Sequence, residues 1–259
     1  MESWTLVTGA SEGLGVEFAK LAAKEKRNLI LVARSEDKLN ALAEELRNDA
    51  VQVEVMPTDL SDLIQTEALW ARVSEGRVID RLVNNAGIGK NSAFSRPESW
   101  AQELTSMNVN MIALTYLMKQ AIPHMQGHGG GRILNVASVA GFTPGPNMAV
   151  YHATKAFVLS LSEAVAEELS GSDVTVTALC PGATATNFFD VADMDGVRLL
   201  KLAKPMSAKD VAEQGWIAAR AGKRVIVTGA LNKVFAFLPR VTPRRVTTFV
   251  ASKIMGKAH

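Results

Sequence analysis

Tyr151 and Lys155 stand four residues apart at the start of a long helical pattern, so their side chains share one face. Free tyrosine, with a pKa near about 10, is a poor base at neutral pH. A neighbouring ammonium favours the phenolate and brings the pair within reach of proton transfer. Ser138, thirteen residues upstream at a strand end, adds a hydroxyl that could polarise an oxygen. Taken alone, these residues also read as a packed tyrosine, a solvated lysine and a cap or loop serine.

A second group opens the chain. The first apolar run leads into Thr8-Gly9-Ala10-Ser11-Glu12-Gly13-Leu14-Gly15, and a helical pattern follows. Glycines there permit a tight turn and close approach of backbone to a pyrophosphate. The helix N-terminus offers N–H groups and a positive dipole end to the anion. A plain strand-to-helix turn needs one glycine, and this loop has three. About 20 positions on, where an acid would bind a ribose 2′-OH, stand Ala33 and Arg34. Arginine can pair with a 2′-phosphate, so NADP(H) is expected over NAD(H), with Lys38 assisting. Glu36 and Asp37 read as the first turn of a helix capped by Ser35.

With Asp59, Asn84-Asn85-Ala86-Gly87, Asn108, Ser138, Tyr151-x-x-x-Lys155 and Pro181-Gly182 added in that order, the chain resembles a classical short-chain dehydrogenase/reductase. The resemblance implies a Rossmann-type fold and a catalytic set of Asn108, Ser138, Tyr151 and Lys155. Tyr151 would act as general acid and base, and Lys155 would also hold the nicotinamide ribose. Ser138 would orient the substrate oxygen, and Asn108 would hold a water in a proton relay. Asn108 is preferred over Asn110 on its spacing to Leu114-Thr115. The resemblance gives the cofactor Gly9, Ser11, Glu12, Gly13, Leu14, Gly15, Asp59, Leu60, Asn85, Ala86, Gly87, Pro181, Gly182, Thr184 and Thr186. Asp59 would receive the adenine amino group, or equally cap a helix near Ser61. Thr186 would bond the nicotinamide amide.

These residues need elements to place them. Short apolar runs at Trp4–Thr8, Leu29–Ala33, Val51–Met56, Leu82–Asn84, Arg132–Ala137, Val174–Leu179 and Val225–Thr228 predict strands covered on both faces. Between them, Leu14–Glu25, Lys38–Arg47, Leu63–Val73, Trp100–Met125, Val150–Leu169 and Ala208–Ala221 have helical periodicity. The alternation predicts an α/β, doubly wound parallel sheet of about seven strands with helices on both faces. The expected division is one oxidoreductase domain over 1–230, with a substrate lid at 183–205, and an extension over 231–259.

Composition limits the alternatives. An apolar fraction of 47% excludes disorder, and 6% aromatics argue against stacking platforms for nucleic acid. Cys180 is the only cysteine, so no internal disulfide can form, and no metal-ligand spacing is present. No signal peptide is seen at the N-terminus, and a cytoplasmic location is expected.

The formal charge of +2 hides a split. From Gln214 to His259 the chain has nine Lys and Arg and no Asp or Glu, while the first 213 residues carry 19 basic and 26 acidic residues. A tail of +9 thus follows a body of −7. Peripheral contact with an anionic membrane is one reading of the tail. A helix packed on its own subunit or a partner is the favoured one.

The expected reaction is NADPH-dependent reduction of a ketone or aldehyde, reversible as alcohol oxidation. Phe142, Phe188, Phe189, Val191, Leu199, Leu200 and Leu202 suggest an apolar substrate. A 3-oxoacyl thioester reductase is the alternative within enzymes, and an NADP(H)-binding sensor without turnover the alternative outside them. A homodimer through the helices at Trp100–Met125 and Val150–Leu169 is expected, or a tetramer.

Overall fold

A computed structural model describes residues 2–192 and 205–255. Seven strands form one parallel sheet in the order β3-β2-β1-β4-β5-β6-β9. They are β1 (Ser3–Thr8), β2 (Asn28–Ala33), β3 (Val53–Pro57), β4 (Val78–Asn84), β5 (Gly131–Val136), β6 (Val174–Cys180) and β9 (Val225–Val227). The order reverses between β1 and β4, which opens a crevice at the carboxyl ends of the strands. This is the expected Rossmann-like arrangement.

Alternation along each strand feeds two cores. Leu6, Ile30, Val32, Leu82 and Ile133 face one way. They meet helices α3 (Leu63–Ser74), α5 (Leu114–Gly127) and α6 (Ala149–Glu168). Val7, Leu29, Leu31 and Leu134 face the other way, against α1 (Gly13–Lys24), α2 (Glu36–Leu46) and α8 (Ala208–Arg220). A fully buried side chain such as Phe18 contributes roughly 1.5–3 kcal/mol.

Three expectations shift. β3 begins at Val53 because Val51 closes a local bridge with Asn48. β4 begins at Val78, four residues early, because its polar Asp80 and Arg81 are paired with Arg27 and Glu25 at the sheet's lower edge. The long helix expected over Trp100–Met125 is three pieces: α4 (Trp100–Met107), a π-helical turn (Asn108–Ala113) and α5.

The stretch expected as a lid contains β7 (Thr184–Ala185), paired with β8 (Met206–Ser207), and the short helix α7 (Phe188–Val191). Leu199, Leu200 and Leu202 lie outside the described residues. The tail forms α9 (Ala230–Phe237), a turn at Leu238–Arg240 and α10 (Arg244–Met255). Of its apolar residues Ala236 is buried and Ile254 partly covered, while Phe237, Val241 and Phe249 are among those left exposed.

Candidate active site

β1 delivers the glycine loop to the crevice. Gly9 adopts φ +64°, and a Cβ on Gly15 would overlap the Gly9 carbonyl, so the loop folds closely on α1. Thr8 and Asn85 fix it. The buried Thr8 hydroxyl donates to the Val83 carbonyl (3.2 Å) and accepts from the Asn85 and Ala86 N–H groups (3.0 and 3.1 Å). Asn85 Nδ2 donates to the Thr8 and Gly9 carbonyls at 3.0 and 3.1 Å. Its amide donor thus shapes the loop, and Thr8 is a supporting residue that sequence reasoning did not single out.

No side chain caps the N-terminus of α1. The tight loop and a helix start without a side-chain cap fit a dinucleotide's pyrophosphate. Arg34 stands exposed after β2. Burial opposes ionisation of Asp59, but hydrogen bonds from the Ser61 N–H and hydroxyl, with the Arg34 charge nearby, hold its carboxyl below the ordinary range. Asp59 therefore closes the turn before α3, and Asp62 caps that helix. Lys38 is ion-paired with Glu12, whose other oxygen accepts from Asn187 Nδ2 at 3.0 Å. Glu12 thus joins the glycine loop to α2 and to the segment before α7. Leu60 is buried in the core under the crevice.

The remaining site residues come from β5, α6 and the loop after β6. Ser138 follows β5, and its Oγ accepts from the Ala140 N–H at 3.1 Å and lies 3.4 Å from the Pro181 carbonyl. The Ser138 hydroxyl also acts on the Tyr151 phenol, favouring its ionised form. Burial pushes the Tyr151 phenol up to about 12, against that effect. Lys155 is buried and donates to the Val136 carbonyl at 2.8 Å, with Nζ 5.8 Å from the Tyr151 ring centre. Burial brings its ammonium down to about 8, partly countered by Cys180. Cys180 is itself buried and pushed up to about 12, so it stays a thiol.

Asn108 does not reach this cluster. Its Nδ2 donates to the Ser61 carbonyl at 3.1 Å, on the side of the turn before α3. Asn110 takes the inner place. It is 1% exposed, and its amide clamps Ile88 from both sides: Oδ1 accepts from the Ile88 N–H and Nδ2 donates to the Ile88 carbonyl, each at 2.9 Å. Nδ2 also lies 2.9 Å from Thr154 Oγ1 on α6. A Cβ on Gly87 would sit 3.2 Å from Lys155 Nζ and 3.4 Å from Asn110 Oδ1, so both side chains converge on that glycine. The physical reason is the π turn. Its extra residue per turn rotates the face that a regular helix would present.

The loop after β6 packs across the crevice. The Pro181 carbonyl accepts from the Val139 N–H at 2.9 Å, and Thr184 Oγ1 donates to the Gly182 carbonyl at 3.1 Å. Thr186 lies against Gly13, and its hydroxyl accepts from the Phe188 N–H at 3.4 Å, so it starts α7. Phe188 then leans on Tyr151, ring centres 5.2 Å apart. Met148, Ala192 and Phe189 complete an apolar cluster there. Gly89 makes room for it: a Cβ would come 2.9 Å from Phe188 Cζ and 3.0 Å from Tyr151 Cδ2.

His152, next to Tyr151, points away. Its buried ring packs on Gly145 and its Nδ1 lies 2.8 Å from the Thr143 carbonyl, which fixes the loop after Ser138. Among the described residues, no group of three His, Cys, Asp or Glu is placed to hold a metal ion.

Comparison with known proteins agrees with this architecture. The sequence profile described as short chain dehydrogenase matches residues 3–195. A ketoacyl reductase of Nostoc sp. is 35% identical over 178 residues, covering 68% of this chain and 62% of the relative. A short-chain dehydrogenase from Sphingobium yanoikuyae, solved with NADPH, superposes with a TM-score of 0.79 at 31% identity, covering 94% of this chain and 97% of its own. One from Burkholderia phymatum, solved with NAD, gives 0.81 at 27% identity and 92% of each chain. The chain belongs to the short chain dehydrogenase family.

Proposed function

We propose that this protein is an NADP(H)-dependent oxidoreductase that reduces an apolar ketone or aldehyde, and oxidises the alcohol in reverse. One observation carries the reading: the Tyr151 ring, 5.8 Å from the Nζ of buried Lys155, sits under the apolar cover of Phe188 and Met148. A reduced nicotinamide supplies the hydride when bound. Gly9, Gly13, Gly15 and the start of α1 would hold its pyrophosphate, with Arg34 at a 2′-phosphate. The Asn85 amide keeps the loop in shape for it.

The protein's own groups do the proton work. Ser138 donates to the substrate oxygen as negative charge develops on it. Tyr151, neutral at pH 7, gives that oxygen a proton. The Lys155 ammonium then steadies the phenolate, so Tyr151 can be reprotonated. Asn110, in place of Asn108, holds Ile88 and Thr154 so that α6 presents Tyr151 and Lys155 to the crevice. The 2′-phosphate preference rests on Ala33 and Arg34, and the relatives solved with NADPH and with NAD make it the finer part of the proposal.

The Nostoc relative's name favours a 3-oxoacyl thioester as the second substrate class. Trp100, Leu104, Ile112 and Phe157 expose apolar surface on the helices expected to pair in a homodimer. The test is a turnover screen with NADPH and NADH across bulky ketones, steroids and 3-oxoacyl thioesters. Oxidation of NADPH with an apolar ketone is expected. Tight NADPH binding with no turnover on any of them would instead favour a sensor.

A further inference from the structure

We propose that the two C-terminal helices dock this chain on an anionic lipid surface. The inference stands on the tail and does not depend on the proposed reaction.

Helix α9 carries Leu231, Val234 and Phe235, and Leu238 follows one turn on. These positions are three and four apart, which is one helix face. Leu231 is 56% exposed and Val234 53%, and of the residues of α9 only Ala236 is buried. Helix α10 repeats the pattern. Val246, Phe249 and Val250 share a face and are all exposed, Phe249 at 63%. Thr247, Thr248, Ala251, Ser252 and, one turn after Val250, Ile254 are partly covered. The apolar stripe thus points away from the body, the reverse of a helix that stabilises a core.

Cations flank both stripes. Lys233, Arg240, Arg244, Arg245 and Lys253 are exposed, and none has a carboxylate partner among the described residues. Lys253 lies over the Phe249 ring, Nζ 5.4 Å from its centre. No acid occurs from Gln214 to the end of the sequence.

Charge decides the occupant. The same patch on a second copy would set these five cations against five, so a symmetric pairing of tails is opposed. An apolar stripe with flanking cations and no acids matches an interfacial helix on anionic lipid. The attachment point gives the docking a consequence. Asn232 of α9 bonds the Thr228 carbonyl at 2.7 Å and packs on Gly182, in the loop that crosses the crevice. The lipid contact therefore begins beside the loop after β6, the segment that leads into α7 and Phe188.

The experiment is sedimentation of the full-length protein with phosphatidylcholine vesicles, pure or with about one third phosphatidylglycerol. Binding to the anionic vesicles should exceed binding to the neutral ones at least about tenfold and weaken as salt is raised. Two double variants separate the causes: F235S with F249S removes exposed apolar area, and R244E with R245E reverses charge. Each should lower anionic-vesicle binding about tenfold, while elution volume and NADPH binding stay unchanged. No vesicle binding by the wild type would overturn the proposal. So would undiminished binding by F235S/F249S, or a self-association that this variant abolishes without any vesicle binding, which would assign the face to a second copy.

Discussion

Lys155 and Lys253 have the same side chain in opposite surroundings. Lys155 is 4% exposed, donates to a strand carbonyl and has its ammonium brought down to about 8 by burial. Lys253 is exposed on α10 beside an exposed phenylalanine. The crevice edge hides both its cation and its apolar residues, and the tail shows both to solvent. A buried, unneutralised ammonium is costly to keep and is useful only where a nearby group must ionise. An exposed ammonium over apolar surface costs little and suits contact with something outside the chain.

The largest expected difference comes from removing each cation in turn. Lys155→Met should lower kcat for carbonyl reduction about 10²–10³-fold, and Lys253→Met should leave it within about twofold. Steady-state NADPH oxidation measures both.

The two asparagines of the π turn give the next contrast. Asn110→Leu strands the buried Ile88 groups and should lower Tm by roughly 5–10 °C, with turnover down at least about tenfold. Asn108→Leu removes one bond at the edge and should cost under about 1 kcal/mol. Calorimetry with kinetics on both variants tests this, and equal effects would return the role to Asn108.

The pH profile sharpens the burial argument. Lys155 loses its proton as pH rises through about 8, while Tyr151 keeps its own to about 12. Reduction needs the ammonium, so kcat/KM should fall above about pH 8. Stability runs the other way. Above about pH 8 and up to the ordinary lysine range, the unfolded chain binds a proton that the folded chain does not, so folding gains with pH there. Denaturation midpoints should show a rise in that window that Lys155→Met removes.

The smallest effect expected is on cofactor choice. Arg34→Ala should reduce the NADPH-to-NADH ratio of kcat/KM about tenfold, with little change for NADH.

The sheet and the cluster of Ser138, Tyr151 and Lys155 were legible because they rest on local signals. Strands buried on both faces are apolar runs, and Ser138, Tyr151 and Lys155 follow from strand end and helix spacing. The glycine loop was legible for the same reason, as one short segment. That Asn110 rather than Asn108 faces Thr154 was not legible, because periodicity assumes 3.6 residues per turn and the π turn at 108–113 departs from it. The start of β4 was missed because Asp80 and Arg81 hide a strand whose polar side chains find partners on other elements. Thr8 carried no signal beyond its place before Gly9, since its three hydrogen bonds reach across 75 residues or more. Which way α10 faces was not legible, because it depends on what the body can cover.

Tyr151 is the proposed proton donor of a working reductase. The most direct test of that role is NADPH oxidation by the wild type and by Tyr151→Phe on a ketone that the wild type reduces, with NADPH affinity measured on both. The account predicts a loss of about 10²–10⁴ in kcat with affinity unchanged within about threefold. Turnover by Tyr151→Phe at the wild-type rate would contradict it.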